Sequence, residues 1–124
     1  YQRSRGLGDV YKRQVLGINI GPNKDSNNRF KDYEILSKGL SEFADYLTIN
    51  ISSPNTPNLR DFHETENLEK VLISVKNGIA KSKKLELHLP IFLKISPDIT
   101  ENNLNLIIET ANKNNIAGLQ YYFY

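Results

Sequence analysis

The stretch Tyr46-Leu47-Thr48-Ile49-Asn50-Ile51, followed by SSPNTPNLR at residues 52–60, contains the two patterns that decide the fold. Residues 46–51 are rich in β-branched and aromatic side chains, which predicts a strand. Residues 52–60 contain Pro54 and Pro57, which lack a backbone donor, among Ser and Asn residues that favour turns. The sequence therefore predicts a buried strand that ends in an irregular loop.

Strand and helix patterns alternate on both sides of this stretch. Short apolar runs predict further strands over residues 15–20 and 91–95 and from residue 116 onward. Such alternation predicts an α/β fold with parallel strands joined by right-handed crossovers. The continuous apolar runs favour a sheet covered on both faces. A doubly wound sheet and a (β/α)₈ barrel both satisfy the pattern, and the chain has neither a G-x-G-x-x-G nor a P-loop motif.

Three segments between the predicted strands have the apolar spacing of helices. Thr65 and Thr100 are the predicted N-caps of the second and third helices, and Asn114-Asn115 is predicted to end the third. The predicted buried faces are Tyr33, Leu36, Leu40 and Phe43; then Leu68, Val71, Leu72, Val75 and Ile79; then Leu104, Ile107, Ile108 and Ala111.

The composition excludes several classes of site. Among 124 residues there is no Cys, which excludes disulfides, thiolate metal sites and a cysteine nucleophile, and the two His residues disfavour a multi-histidine metal site. No apolar run approaches the length of a membrane span. A net charge of +2 does not indicate a nucleic-acid partner. The first residue is Tyr1 and Met is absent, which predicts that the chain is a piece of a longer protein or a processed product.

Polar residues lie near the carboxyl ends of three predicted strands. Asn19, Asn50 and Lys94 each stand one residue before the predicted close of a strand. Any one of them could simply point into a helix layer or into water, but lysine is rarely buried without a partner. Ligands bind at the carboxyl ends of strands in both candidate folds, so the three together predict a polar ligand. The two amides suit a planar amide, imide or ureide edge, and the lysine suits developing negative charge.

Other readings of the polar residues are weaker. A serine in the loop after residue 51 could be a nucleophile or a base, but the composition favours turn capping, and no G-x-S-x-G elbow supports a hydrolase. No paired carboxylates meet at the strand ends, so glycosidase chemistry is not supported. His63 is predicted to be a capping or surface residue, and His88 to be solvated.

Three blocks of this sequence closely resemble class 2, quinone-linked dihydroorotate dehydrogenases: LGINIGPNKD at 16–25, NISSPNTPNLR at 50–60 and LKISPD at 93–98. The resemblance extends over residues 15–119. It implies a (β/α)₈ barrel that binds FMN at the carboxyl ends of its strands, and a chain of this length would be a partial barrel with about four parallel strands. It also implies oxidation of dihydroorotate to orotate in pyrimidine (UMP) biosynthesis, with a quinone as electron acceptor.

The resemblance further implies a role for each matching residue. Ser53 would be the catalytic base that removes the C5 proton while hydride leaves C6 for the flavin. Asn50 would contact both FMN and substrate, and Asn55 would contact the substrate. Asn19 and Lys94 would bind FMN, with Lys94 placed to stabilise negative charge on the reduced ring. No metal is expected.

The two ends depart from the family pattern. Residues 1–14 match nothing expected before the first strand and are predicted to be an artefact, and residues 120–124 stand where the family has Thr-Asn-Thr. The full-length parent is expected on the cytoplasmic face of the bacterial inner membrane, or on the mitochondrial inner membrane in a eukaryote. The alternative hypothesis is a standalone half-barrel that binds a ligand or dimerises without catalysis.

Overall fold

The computed structural model describes residues 14–52, 65–83 and 88–121. Strands and helices alternate along these residues, which confirms the predicted α/β class. In chain order the elements are β1 (Gly17–Ile20), α1 (Arg29–Leu40), a 3₁₀ turn (Ser41–Phe43), β2 (Tyr46–Asn50), α2 (Thr65–Lys81), β3 (Ile91–Lys94), α3 (Glu101–Lys113) and β4 (Gly118–Gln120).

The sheet is parallel, and its strand order follows the chain order, β1-β2-β3-β4. Each crossover therefore steps across the sheet in the same direction. Because such crossovers are right-handed, steps in one direction place all the helices on the same face. A doubly wound sheet reverses direction at a switch point, so this strand order has the winding of a (β/α)₈ barrel.

The hydrophobic core lies between the sheet and the helices. Alternate strand residues, including Leu47, Ile49 and Leu93, are fully buried in one cluster with residues of all three described helices. From α2 this cluster contains the predicted face, with Leu68, Val71, Leu72 and Val75 fully buried and Ile79 partly buried. Burial of a side chain of this size contributes about 1.5–3 kcal/mol.

The described helices cover one face of the sheet, as predicted, and coverage of the opposite face stays a prediction. In β3, Ile91 and Leu93 are buried toward the helices, whereas Phe92 and Lys94 alternate with them and are half-buried. The apolar runs concealed this difference, because Phe92 continues the hydrophobic pattern on the opposite face. Successive side chains of a strand point to opposite faces, so the second face has its own chemistry.

The predicted apolar face of α1 was partly wrong. Phe43 is 62% exposed, and the fully buried stripe is Tyr33, Ser37 and Ser41. The α2 helix approaches closely at Ser37, where Gly78 leaves no room for a side chain between the two helices. Serine is polar, so a search for apolar spacing does not find this contact.

The predicted face of α3 also needs one correction. Ile107 and Ala111 are buried and Leu104 is partly buried, but Ile108 is 40% exposed. The buried stripe passes instead through Thr110, whose hydroxyl donates to the Leu106 carbonyl within the helix. That internal hydrogen bond lets a threonine occupy a buried position.

The helix ends were largely predictable. Thr100 caps α3 by accepting a hydrogen bond from the Asn103 N–H at 3.2 Å, and Asn115, with φ of 59°, adopts the left-handed conformation that ends helices. Thr65 is the first residue of α2 rather than its cap. Within residues 14–52, 65–83 and 88–121, no helix combines the length and the hydropathy needed to cross a bilayer.

Candidate functional site

The strand face opposite the helices, which we call the polar face, carries the predicted ligand-binding side chains. Paired residues of parallel strands present their side chains on the same face, so the register identifies its members. Asn19 pairs with Thr48, which pairs with Phe92, while Asn50 pairs with Lys94, which pairs with Gln120. The polar face therefore consists of Asn19, Thr48, Asn50, Phe92, Lys94 and Gln120 with their same-face neighbours Gly17, Tyr46 and Gly118.

Asn50, Lys94 and Gln120 form a row across the carboxyl ends of β2, β3 and β4, where each is the last residue of its strand. All three are half-buried. Asn19 is exposed and pairs with Thr48, two residues before Asn50, so it lies one row lower, about 7 Å toward the amino ends. The three predicted residues thus share one face, but Asn19 is not level with the other two.

Gln120 is a member of this row that the sequence reasoning missed. It was assigned to a divergent end of the chain, whereas the structure places it at the end of β4 beside Lys94. The strand signal that starts at residue 116 would have identified it, because Gly118 and Gln120 share a face when a strand continues to Gln120.

Aromatic rings close the amino-terminal end of the polar face. The ring centroids of Tyr46 and Phe92 are 5.4 Å apart with an interplanar angle of 80°, an edge-to-face contact. Each ring packs against a neighbouring strand at a glycine: a Cβ on Gly17 would lie 2.0 Å from the Tyr46 ring, and one on Gly118 would lie 3.2 Å from Phe92. The polar face is therefore filled by packed aromatic rings at its amino-terminal end, and it carries the row of polar residues at its carboxyl end.

Asn50 is held by hydrogen bonds on both its side chain and its backbone. Its Oδ1 accepts from the Ser52 N–H at 3.0 Å and from the Ser52 hydroxyl at 2.9 Å. Its backbone carbonyl accepts from the hydroxyl of Tyr33, a fully buried residue of α1, at 2.9 Å. Burial raises the pKa of the Tyr33 phenol, so this group stays a neutral donor. The helix layer thus fixes the residue that faces the site.

Lys94 is the charged residue of the polar face, as far as the structure describes that face. It lies between two amides, Asn50 and Gln120, at the level where the strands end. A lysine beside amide donors and acceptors suits a planar polar ligand that carries or develops negative charge.

Several predicted residues lie outside the described part of the chain. Ser53, Asn55 and His63 fall within residues 53–64, so their predicted roles stay predictions. The domain division at residues 14 and 119 is likewise untested. His88 is exposed, as predicted, and lines a groove with Lys76 and Asn114 beside the amino end of β3, away from the polar row.

Comparison with known proteins identifies the family to which the sequence is similar. A sequence model of the family described as dihydroorotate dehydrogenase matches residues 3–122. Among curated proteins, the chain is 43% identical over 108 residues to the dihydroorotate dehydrogenase (quinone) of Agrobacterium fabrum, and 44% identical over 108 residues to that of Vibrio parahaemolyticus. These alignments cover 86% and 85% of this chain but only 30% and 32% of the relatives, so the chain spans about a third of their length.

Solved structures show the same relationship. The chain resembles the ferulenol complex of DHODH from Eimeria tenella with a TM-score of 0.78 and 29% identity, covering 92% of this chain and 36% of that one. The ligand-free form from the same organism gives a TM-score of 0.80 and 32% identity, with coverages of 91% and 35%. These neighbours have a TIM-barrel fold, which confirms that the four described strands are a sector of such a barrel.

Proposed function

The chain belongs to the dihydroorotate dehydrogenase family, and we propose that it supplies part of the active site of an FMN enzyme that oxidises dihydroorotate to orotate. The observation that carries this proposal is the row of Asn50, Lys94 and Gln120 at the carboxyl ends of the strands, where barrel enzymes bind their substrates. The electron acceptor is a quinone, as in the names of the relatives, and the reaction serves pyrimidine synthesis. A quinone acceptor implies a peripheral association of the whole protein with a membrane.

The residues of the polar face fit a flavin. A flavin ring has a polar edge of carbonyl oxygens and ring nitrogens, which requires both donors and acceptors in one plane. Asn19, Asn50 and Gln120 supply amides, and Lys94 supplies a cation beside them. Gly21, which follows β1 next to Asn50, leaves space at this level, since a Cβ there would meet Asn50 atoms only at 3.7 Å.

When bound, FMN supplies an acceptor for the hydride that leaves C6 of dihydroorotate. Lys94 then stabilises the negative charge that the reaction places on the ring, because a fixed ammonium group in a half-buried site acts without reorganisation. Asn19 and Asn50 orient the cofactor, and Asn50 also binds the substrate. No metal is part of this scheme.

Proton removal is assigned to Ser53. Its Oγ accepts the C5 proton of dihydroorotate, and the pair of electrons from that bond forms the C5–C6 double bond of orotate as the hydride leaves. Asn55, in the same loop, binds the polar edge of the substrate. The neighbouring Ser52 is buried, with 9% of its surface exposed, so the loop starts from a site largely shielded from water. Exclusion of water helps a serine to act as a base.

Turnover in a full-length protein that carries this segment tests the proposal. We expect dihydroorotate-dependent reduction of a quinone, and we expect Ser53→Ala to lower kcat by about 10²–10⁴-fold through loss of general-base catalysis. The matched control is Ser74→Ala, since the Ser74 hydroxyl bonds to the Lys70 carbonyl within α2. A wild-type protein that binds FMN but leaves dihydroorotate unoxidised would contradict the proposal and favour a binding module without catalysis.

A further inference from the structure

The side-chain oxygen of Asn50 already accepts hydrogen bonds from within the protein. An asparagine side chain offers one carbonyl oxygen and one NH₂ group. Here the oxygen receives two hydrogen bonds from a single residue, the N–H and the hydroxyl of Ser52, at 3.0 and 2.9 Å. The backbone donor can bond only to an oxygen, so this contact also identifies which end of the amide faces Ser52.

We propose that Ser52 is a positioning residue, which orients Asn50 so that its NH₂ group faces the ligand. Asn50 then recognises an acceptor atom, a carbonyl oxygen or an unprotonated ring nitrogen, and not a donor. This inference rests on the proposed function, because that function identifies FMN and dihydroorotate or orotate as the ligands. An asparagine side chain could in principle either donate to or accept from a ligand. The inference restricts Asn50 to donating.

The backbone of Asn50 is fixed independently of Ser52. The Tyr33 hydroxyl reaches its carbonyl from the helix side at 2.9 Å, and the Ile51 N–H donates to the Lys94 carbonyl at 3.2 Å. The Cα of Asn50 therefore has a set position, and the remaining freedom of the residue is the rotation of its side chain. The contacts with Ser52 restrict that rotation.

The end of β3 offers a natural comparison for this contact. Lys94-Ile95-Ser96 repeats the arrangement of Asn50-Ile51-Ser52, a last strand residue followed by a buried isoleucine and a buried serine. The Ser96 hydroxyl, however, donates to the carboxylate of Asp98 in the following turn. Because a lysine ammonium group accepts no hydrogen bond, the contact in β2 depends on the amide oxygen of Asn50 as well as on Ser52.

Binding measurements on the full-length protein separate orientation from catalysis. We expect Ser52→Ala to weaken binding of FMN to the apoprotein, or of orotate to the FMN-loaded protein, by about two- to tenfold, the range of one net hydrogen bond. The effect is limited because the Ser52 N–H remains. Ser52→Thr keeps a hydroxyl and should restore the affinity, and Ser96→Ala should leave both affinities unchanged.

Flavin fluorescence and absorbance titrations measure these affinities without turnover. Unchanged affinity of Ser52→Ala for both ligands would overturn the positioning role, as would an equal loss in Ser96→Ala or a failure of Ser52→Thr to restore binding. If Ser52→Ala folds poorly, Asn50→Asp provides the second test: it keeps the acceptor for Ser52 and removes the donor, so a protein that still binds both ligands normally would overturn the inference. A wild-type protein that binds neither ligand would instead contradict the proposed function.

Discussion

The two faces of the sheet are built from neighbouring residues of the same strands, yet they differ in almost every property. On the helix face Leu47, Ile49 and Leu93 are fully buried in the core. On the polar face Asn50 and Lys94, each adjacent to one of these residues, are half-buried and carry hydrogen-bonding groups or charge. The comparison teaches that the strand period of two lets a single strand contribute to the core on one side and to the proposed ligand site on the other.

The largest expected effect is on the helix face. Leu47→Ala in the full-length protein should lower the free energy of unfolding by about 2–5 kcal/mol, because it leaves a cavity among fully buried side chains. Urea denaturation measures this change, and Ile35→Ala, at a residue 57% exposed on α1, is the control with little expected effect. Equal losses for the two variants would contradict the assignment of the core.

The second prediction concerns the polar face and uses the substitution Lys94→Met. We expect kcat to fall by about 10²-fold, the usual consequence of removing one group that stabilises developing charge, with little change in the urea midpoint. Lys113→Met is the control, since Lys113 pairs with Glu69 on the helix surface at 3.2 Å. A Lys94→Met protein that lost stability but kept its turnover would contradict the assignment of the polar face to ligand binding.

The packing of α2 against α1 depends on the absence of a side chain at Gly78. Gly78→Ala should destabilise the fold by about 1–3 kcal/mol, because its Cβ would lie 2.4 Å from the Glu34 carbonyl oxygen as well as against Ser37. Gly39→Ala, where no atom lies within 4 Å of the added Cβ, should stabilise α1 by about 0.5–1 kcal/mol. Thermal denaturation of the two variants should give shifts of opposite sign, and shifts of the same sign would contradict this packing.

Tyr33 connects the two faces, since a residue of the buried helix layer donates to Asn50 at the site. Tyr33→Phe should cost about 1 kcal/mol of stability through the lost hydrogen bond and should also weaken FMN binding. Chemical denaturation and a flavin titration on the same preparation measure the two effects. A loss of stability with unchanged FMN affinity would show that the faces are independent at this point.

The smallest effect is expected at the helix surface. Hydrogen bonds from Lys31, and then from Lys81, lower the pKa of Glu34 from its ordinary 4.5 to about 2. A lowered pKa in the folded state stabilises the protein above pH 4.5, and this contribution is lost as the pH falls toward 2. Glu34→Gln should therefore flatten the pH dependence of stability between pH 4.5 and 2, and added salt should reduce the difference.

Denaturation at a series of pH values measures this dependence. The control is Glu66→Gln, since Glu66 makes a longer contact of 3.5 Å with Lys70 in the first turns of α2. Identical curves for Glu34→Gln and the wild-type protein would contradict the role of the two lysines.

The fold was predictable where burial follows apolar spacing. The apolar face of α2 was predicted because Leu68, Val71, Leu72 and Val75 are buried, whereas the buried Gly78 was not predicted. The face of α1 was not fully predicted, because Ser37 is buried where α2 approaches closely at Gly78, which no local pattern encodes. The difference between the two faces of β3 was not predicted, because the apolar pattern of residues 91–95 includes Phe92, which lies on the face opposite the helices.

The polar residues Asn19, Asn50 and Lys94 of the candidate site could be identified from the sequence, but their relative positions could not. Lys94 was identifiable because a lysine within an apolar run is rare. The lower position of Asn19 depends on the register between β1 and β2, which the sequence of either strand does not reveal. The contact of Ser52 with Asn50 depends on the path of the chain after the strand, so it required the structure.

The central claim is that the polar face is the place where FMN and dihydroorotate meet, and single-turnover reduction of the flavin tests it most directly. In a full-length protein that carries this segment, mixed anaerobically with dihydroorotate, the account predicts rapid bleaching of the oxidised flavin in the wild-type protein. It predicts much slower bleaching in Asn50→Ala loaded with FMN. A flavin that stays oxidised in the wild-type protein, or an Asn50→Ala variant that bleaches at the wild-type rate, would contradict the claim.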